Sequence, residues 1–248
     1  MNKLIIDADI LAYKVSFSAE HKVRWDDGIW SWHANESEAI QKCCEWITNI
    51  HKHLNADLSK SLFCFTGNTN WRHEIMPEYK AHRGDTRTPL VLNAVRDYLM
   101  STYKCAMEEP FEADDLMGIY SQKDPEAIVV SLDKDLKQIP GRKCRDVGSP
   151  VFVVSPIEGF RWHMRQTLTG DATDGYTGCP GVGPVKAEKC LANLMDPAEM
   201  WAKVVKEYAK AGLPEAEAEA LRQARVAKIL QSAEPSERLW NPPNGRQG

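Results

Sequence analysis

Cysteine is scattered through this chain in no pattern that a metal or a disulfide framework could use. The seven residues are odd in number and include no Cys-x-x-Cys pair, which excludes a disulfide scaffold and a zinc ribbon and points to a reducing compartment. Apolar length is lacking at the start: Leu4-Ile5-Ile6 is far too short for a signal peptide or a membrane span. No Gly-x-x-x-x-Gly-Lys-Ser/Thr loop is present, so a P-loop nucleotide site is excluded. His51 and His53 stand on different faces of a helical stretch and make a poor metal pair. A basic excess is missing too. The formal net charge is −4 and the pI about 6.0, so a polyanion would have to be met by local patches and not by overall charge. There is no internal repeat. Within these limits, 248 residues of 43% hydrophobic composition suit a soluble intracellular globule, either one large domain or one core with a smaller helical part.

What the chain does have is a recurring pairing of short apolar strands with acids. Leu4-Ile5-Ile6 reads as a buried strand running into Asp7, with Asp9 just beyond. Ser61-Leu62-Phe63-Cys64-Phe65 is a second strand, ending in Thr66-Gly67. Residues 103–107 give a third strand, and residues 127–131 a fourth that leads to Asp133 and Asp135. Residues 151–154 give one more. Ligands of open parallel sheets bind beyond the carboxyl ends of the strands, although Asp7 and Asp9 taken singly read equally as helix caps. Glu112-Ala113-Asp114-Asp115 opens an apolar helix. Acids favour a helix's first turn, but three that repel one another exceed what a cap needs, and a divalent cation would relieve the conflict.

Between these strands, Trp25, Trp30 and Trp32 flank Asp26-Asp27-Gly28, a hairpin signal whose tryptophans either pack or stack on a base. Ile40, Cys43, Ile47 and Ile50 mark a core-facing helix over residues 36–54, and residues 90–100 read as another amphipathic helix. Residues 70–84 are rich in cations and aromatics, Arg72 among them. Pro77 could start and Gly84 end a short helix with Lys80 and Arg83 on one face, either a solvated surface or a phosphate clamp. Beyond Pro156 the chain reads as helical. Within residues 168–189, Asp171 and Asp174 are spaced to share a hard cation or to serve as caps. Gly181-Val182-Gly183 before Pro184 is a tight turn opening a helix whose bare N–H groups suit a phosphate, with Lys186 and Lys189 following. Residues 232–248 read as a largely disordered tail.

Acids after the first and fourth strands, Glu-Ala-Asp-Asp at 112–115, Pro-x-Tyr-Lys-x-x-Arg at 77–83, the Asp171/Asp174 pair and the Gly-Val-Gly turn occur in the order found in the 5′-nuclease family of flap endonucleases and phage 5′→3′ exonucleases. The chain resembles that family over about residues 3–190, and is closest in style to the phage enzymes. The resemblance implies an α/β fold: a central, mostly parallel sheet flanked by helices, the PIN-like 5′-nuclease core, over residues 1–155 with an arch at 67–90. A helical part over 156–231 would carry a helix-hairpin-helix-type (H3TH) DNA-binding element.

It also implies a structure-dependent, sequence-nonspecific 5′→3′ exonuclease or flap endonuclease that hydrolyses DNA phosphodiesters with two metal ions and leaves 5′-phosphates. Removal of RNA from RNA–DNA hybrids belongs to the same expectation. The metal ligands would be Asp7, Glu112, Asp114, Asp115, Asp133, Asp135, Asp171 and Asp174. Oxygen donors without paired His or Cys suit Mg²⁺ or Mn²⁺, and a monovalent cation such as K⁺ is implied at Gly181–Gly183. Tyr79, Lys80 and Arg83 would act on the reacting phosphate. Arg72, Lys80, Arg83, Gly181, Val182, Gly183, Lys186 and Lys189 would hold DNA, either duplex with free 5′ ends or 5′-flapped. A replication polymerase is a candidate partner, and the setting a bacterial cytoplasm with the gene carried by a phage. One position departs from the pattern: many family members have an aspartate where this chain has Thr66, and Asp9 is the candidate substitute. Two rival readings are a PIN-type endoribonuclease, opposed by the Gly-Val-Gly turn and the cationic arch, and a non-catalytic duplex DNA-binding module, opposed by the near-complete set of acids.

Overall fold

The computed structural model of the protein describes residues 1–85 and 87–243, without the side chains of Arg83 and Asp85. Two compact units arise, and neither is a single stretch of chain. The first holds residues 1–69, 87–133 and 141–152; the second holds 70–85, 134–140 and 153–243.

The first unit is organised by β1 (Leu4–Asp7), whose Leu4, Ile5 and Ile6 are wholly buried. Each such side chain contributes roughly 1.5–3 kcal/mol, enough to fix so short a strand at the centre of a sheet. β1 pairs in parallel with β4 (Leu62–Cys64) on one side and β6 (Ile128–Val130) on the other. β5 (Cys105–Ala106) extends the sheet beyond β4, and β7 (Gly141–Cys144) beyond β6, both parallel. The last strand, β8 (Phe152–Val154), carries the chain out of this unit, and the full order is β5-β4-β1-β6-β7-β8. Winding therefore reverses between β1 and β6, and such a reversal leaves a crevice at the carboxyl ends of the two strands.

Helices α1 (Ala8–Ser18), α2 (Glu36–His53) and α3 (Leu92–Thr102) pack their apolar faces into one core with β1, β4 and β6. α4 (Ala113–Lys123) begins beside the ends of β1 and β4. The tryptophan hairpin forms as β2 (Glu20–Arg24) and β3 (Trp30–Ala34), a separate antiparallel ribbon that is almost wholly exposed.

In the second unit, Ser155 and Glu158 close a capping box at the start of α5 (Pro156–Thr169). α6 (Pro184–Leu191), α7 (Pro197–Lys210) and α8 (Ala216–Ala227) enclose a core of Met164, Leu168, Val204, Tyr208 and Ala224.

Three expectations change. β7 was not foreseen. Residues 77–84 are not one helix: turns precede a 3-10 segment at Ala81–Asp85, and Lys80 takes a left-handed backbone with φ 56°. Of the tail expected to be disordered, residues 232–243 carry a short helix, α9 (Pro235–Arg238), and Trp240, whose ring lies 5.1 Å from that of His163 and 5.2 Å from that of Trp201.

Candidate active site

At the carboxyl edge of the first unit's sheet, Asp7 ends β1 and caps α1. One carboxylate oxygen accepts the Ile10 N–H at 3.0 Å and the other accepts the Ser131 hydroxyl at 2.8 Å. Ser131 Oγ in turn accepts the Asp133 N–H at 3.0 Å, so the ends of β1 and β6 are tied together across the winding reversal. Asp7 is buried, and its pKa is pushed up to about 7. Burial is the main cause, opposed by its two hydrogen bonds and reinforced by the charges of Asp9 and Asp133.

The second acidic contribution comes from the start of α4. Asp115 Oδ2 accepts the Glu112 N–H at 3.3 Å while the Glu112 side chain accepts the Asp115 N–H, a reciprocal cap in which both acids are buried. Asp114 is half-buried beside Cys64, whose thiol is pushed well up by burial and then by Asp7, Asp114 and Asp9 among its neighbours.

Thr66 has a structural post there. Its hydroxyl accepts the Ala113 N–H at 3.1 Å and its own N–H donates to Asp9 Oδ2 at 2.8 Å. The other Asp9 oxygen pairs with Arg96, whose guanidinium lies 4.9 Å from the Phe65 ring. Asp9 is thus paired with Arg96 and the Thr66 backbone, which opposes its expected role as a substitute acid.

The second unit holds its own acids. Gly170 (φ 63°) and Gly178 (φ 66°) meet back to back, so close that a methyl group on Gly178 would sit 2.2 Å from the Gly170 nitrogen. This pins the loop that carries Asp171 and Asp174. Asp171 Oδ1 accepts the Thr173 N–H at 2.8 Å, and Asp171 Oδ2 lies 3.7 Å from Lys134 Nζ. The Asp174 carboxylate accepts the Tyr79 hydroxyl at 3.0 Å and lies 3.6 Å from Lys80 Nζ, while its backbone carbonyl accepts the Lys80 N–H at 2.8 Å. Asp135, Asp174 and Asp171 surround the Tyr176 hydroxyl closely enough to raise its pKa further, after burial has done most. Next along, Gly181 has φ 72° and Gly183 caps α6 with φ −87°, while Val182 is buried in the helical core. Lys186 Nζ lies 3.5 Å from the Gly181 carbonyl oxygen and 3.6 Å from Glu207; Lys189 is exposed.

The family model for the 5′-3′ exonuclease N-terminal, resolvase-like domain matches residues 2–156, more than half of the chain. The chain belongs to the 5′–3′ exonuclease family. Among its relatives, an exodeoxyribonuclease of Enterobacteria phage T3 is 30% identical over 73% of this chain and 63% of its own length. An exonuclease of Escherichia phage T7 is 30% identical over 77% of this chain and 66% of its own length. The chain thus matches just under two thirds of each phage protein. A flap endonuclease of bacteriophage T5, solved as a pseudo-enzyme-product complex with DNA and metal ions, has the same fold, with a TM-score of 0.66 at 14% identity over 92% of this chain and 89% of its own.

Set against this family, the expected ligands fall into two groups. Asp7, Glu112, Asp114, Asp115 and Asp133 belong to the first unit; Asp135, Asp171 and Asp174 belong to the second. Among the described residues, no three His, Cys, Asp or Glu side chains converge closely enough to enclose an ion. The chemistry of the first group still fits a hard divalent cation: the donors are oxygen only, and a buried Asp7 repelled by Asp9 and Asp133 is stabilised in its charged form by a cation beside it.

Arg72, expected to hold DNA, is instead a structural staple. It is buried, its Nε donates to the Val226 carbonyl at 2.9 Å and its Nη2 to the Lys228 carbonyl at 2.6 Å, and its guanidinium lies against Trp71. The Tyr79 ring is likewise buried, so Tyr79 positions Asp174 through its hydroxyl. The Arg83 side chain lies outside the described residues.

Sequence reasoning missed Ser131, Arg96 and Tyr176. Ser131 carries the same signal as the acids, a polar residue directly at a strand end. Arg96 on α3 gives no local signal at all, and Tyr176 could have been found from its place within the Asp171/Asp174 loop.

Proposed function

We propose that the chain is a divalent-metal-dependent, structure-dependent 5′→3′ exonuclease and flap endonuclease that hydrolyses DNA phosphodiesters with little sequence preference and leaves 5′-phosphates. The observation that carries this reading is the acid edge at the β1/β6 reversal, where the buried Asp7 is joined through the Ser131 hydroxyl to the Asp133 amide and Glu112 and Asp115 open α4. The activities named for the phage T3 and T7 relatives, and the DNA and metal ions of the T5 complex, support it.

Asp7, Glu112, Asp114, Asp115 and Asp133 would hold Mg²⁺ or Mn²⁺ from the first unit, and Asp135, Asp171 and Asp174 from the second. Bound, such ions supply an activated water and charge stabilisation at the leaving oxygen. The chain's own residues do the rest. Ile10 and Ser131 fix both Asp7 oxygens, so its orientation is set before any ligand arrives. Lys80 brings a fixed cation to charge building on a phosphate, with Arg83 in the same role. The bare N–H groups at the start of α6, flanked by Lys186 and Lys189, take the duplex backbone as an H3TH element, and contacts of this kind position without specifying sequence. K⁺ at Gly181–Gly183, RNA in RNA–DNA hybrids as a second substrate, a replication polymerase as partner and action in the cytoplasm of an infected bacterium belong to the same reading. No described helix is long and apolar enough to cross a membrane.

The test is cleavage of 5′-labelled duplex, flap and RNA–DNA hybrid substrates in Mg²⁺, Mn²⁺, Ca²⁺ and EDTA. Products with 5′-phosphates in Mg²⁺ or Mn²⁺ and none in EDTA are expected. Cutting confined to RNA, or no cutting in either metal, overturns the reading.

A further inference from the structure

The β2–β3 ribbon adds almost nothing to the core of the first unit, yet it is built with care. Its pairing sets Lys22 opposite Trp32 and Arg24 opposite Trp30, so two tryptophans and two cations share one face. That face continues onto α1 through Arg87. The Arg87 guanidinium lies 5.3 Å from the Phe17 ring and 4.4 Å from the Trp32 ring. Lys22 Nζ lies 5.3 Å from Trp32 and 4.6 Å from Trp30, and Arg24 lies 5.6 Å from Trp30. The result is a track in which aromatic and cation alternate: Phe17, Arg87, Trp32, Lys22, Trp30, Arg24.

Its rings are not core. Phe17 is 44% exposed, Trp32 44% and Trp30 51%. Glu20, the acid on this face, is taken up by Arg87 at 2.8 and 2.5 Å and by the Leu90 N–H at 2.9 Å. The track is therefore locally cationic on a chain of net charge −4. Surface cation–π pairs stabilise by about 0.5–1 kcal/mol each. They account for the rings being held upright but not for large apolar rings being kept in water.

We propose that this track is a binding platform for single-stranded DNA, with bases stacking on Trp30 and Trp32 and phosphates meeting Lys22 and Arg24. The match is one of alternation: a single strand presents π-faces and phosphates in turn, and aromatic rings interleaved with Lys and Arg receive both without reading sequence. The proposal rests on the nuclease reading only for the source of the strand, the single-stranded 5′ flap of a substrate.

The test measures fluorescence anisotropy of a labelled dT12 oligonucleotide in EDTA for wild type, W30A/W32A and K22A/R24A. Mg²⁺-dependent cleavage of a blunt duplex is followed in parallel, and far-UV circular dichroism checks folding. At roughly 1–3 kcal/mol per stacked base, W30A/W32A should weaken dT12 binding at least about tenfold. K22A/R24A should flatten the log–log salt dependence of binding by about 0.7 for each phosphate that is no longer neutralised. Both should leave blunt-duplex cleavage unchanged. Equal dT12 affinity in wild type and W30A/W32A overturns the platform, and so does a parallel loss of blunt-duplex cleavage in a folded variant. Unchanged dT12 affinity together with lost self-association in sedimentation would assign the track to protein docking instead. If wild type cuts no DNA while W30A/W32A still loses dT12 affinity, the nuclease reading fails and the platform stands.

Discussion

The two groups of acids are compensated in different ways. In the first unit, Asp7 is held by neutral donors, Ile10 N–H and Ser131 hydroxyl, and is repelled by Asp9 and Asp133. In the second, Asp171 and Asp174 each face a lysine of their own unit, Lys134 and Lys80. The first arrangement opposes charge on Asp7 unless a cation comes from outside; the second supplies its own. The acids of the two groups are therefore not equivalent as ligands, and the difference is measurable without any substrate.

The largest effect should come from Asp7→Asn. Single-turnover cleavage in Mg²⁺ is expected to fall by roughly a thousandfold, as when a key electrostatic group is removed from an active site. In EDTA at pH 8, however, the variant should be more stable. The native pKa, about 7, lies above the ordinary 3.8. Between those values the native state keeps a proton that the unfolded chain has released, so stability falls as pH rises through that window. Asparagine keeps the cap and removes the penalty, a gain on the order of 1–3 kcal/mol by denaturant unfolding. Asp174→Asn should instead lose about 1 kcal/mol, since it removes the charge of the Asp174–Lys80 ion pair. Shifts of the same sign in both variants would erase the contrast.

Gly178→Ala tests whether the second group depends on its loop. With φ 66° and the Gly170 nitrogen 2.2 Å from the added carbon, about 3 kcal/mol of stability should be lost, read by thermal unfolding. An alanine tolerated there would mean that the Asp171/Asp174 loop is not pinned.

A third test uses opposite pH behaviour. His163 is wholly buried, its Nε2–H donates to the Ala224 carbonyl at 2.7 Å, and burial, with help from Lys228, lowers its pKa to about 3. Between that value and 6.5 the unfolded chain binds the proton and the native state does not, so the second unit loses stability as pH falls, by about 2 kcal/mol at pH 5. His163→Gln should flatten this slope. If acid titration from pH 7 to 5 leaves the second unit's exchange protection unchanged, His163 is not carrying the dependence.

Smallest in stability is Gly183→Ala. Gly183 has an ordinary negative φ and open space around it, so unfolding should move by less than about 0.5 kcal/mol. Duplex affinity should nevertheless weaken several-fold, because the methyl group would stand where a phosphate approaches the start of α6. Intact affinity would remove this turn from the DNA-binding reading.

Much of this arrangement was legible in the chain. Leu4-Ile5-Ile6 is apolar without a break because both of its neighbours in the sheet are parallel strands, and that run marked β1 and the acid at its end. β7 was invisible because Gly-Arg-Lys-Cys has no apolar run, and its place is set by pairing with β6. Residues 77–84 misled because helical spacing is a property of regular backbone, whereas Lys80 turns left-handed to meet Asp174. Arg72 misled for a related reason. A cation in a polar stretch reads as solvated, but the guanidinium fork satisfies two carbonyls more than 150 positions along the chain, a partnership no local pattern encodes.

The left-handed Lys80 has a consequence for motion. A lysine in that region stays there only while its surroundings hold it, and Asp174 contributes to that hold through the Lys80 amide at 2.8 Å, the Lys80 ammonium at 3.6 Å and the Tyr79 hydroxyl at 3.0 Å. The turn at 76–80 and the loop at 171–176, distant in sequence, should therefore open and close as one cooperative element. The Lys80 amide is its clock: its hydrogen-exchange rate should match those of the Asp171 and Tyr176 amides and accelerate with them in Tyr79→Phe.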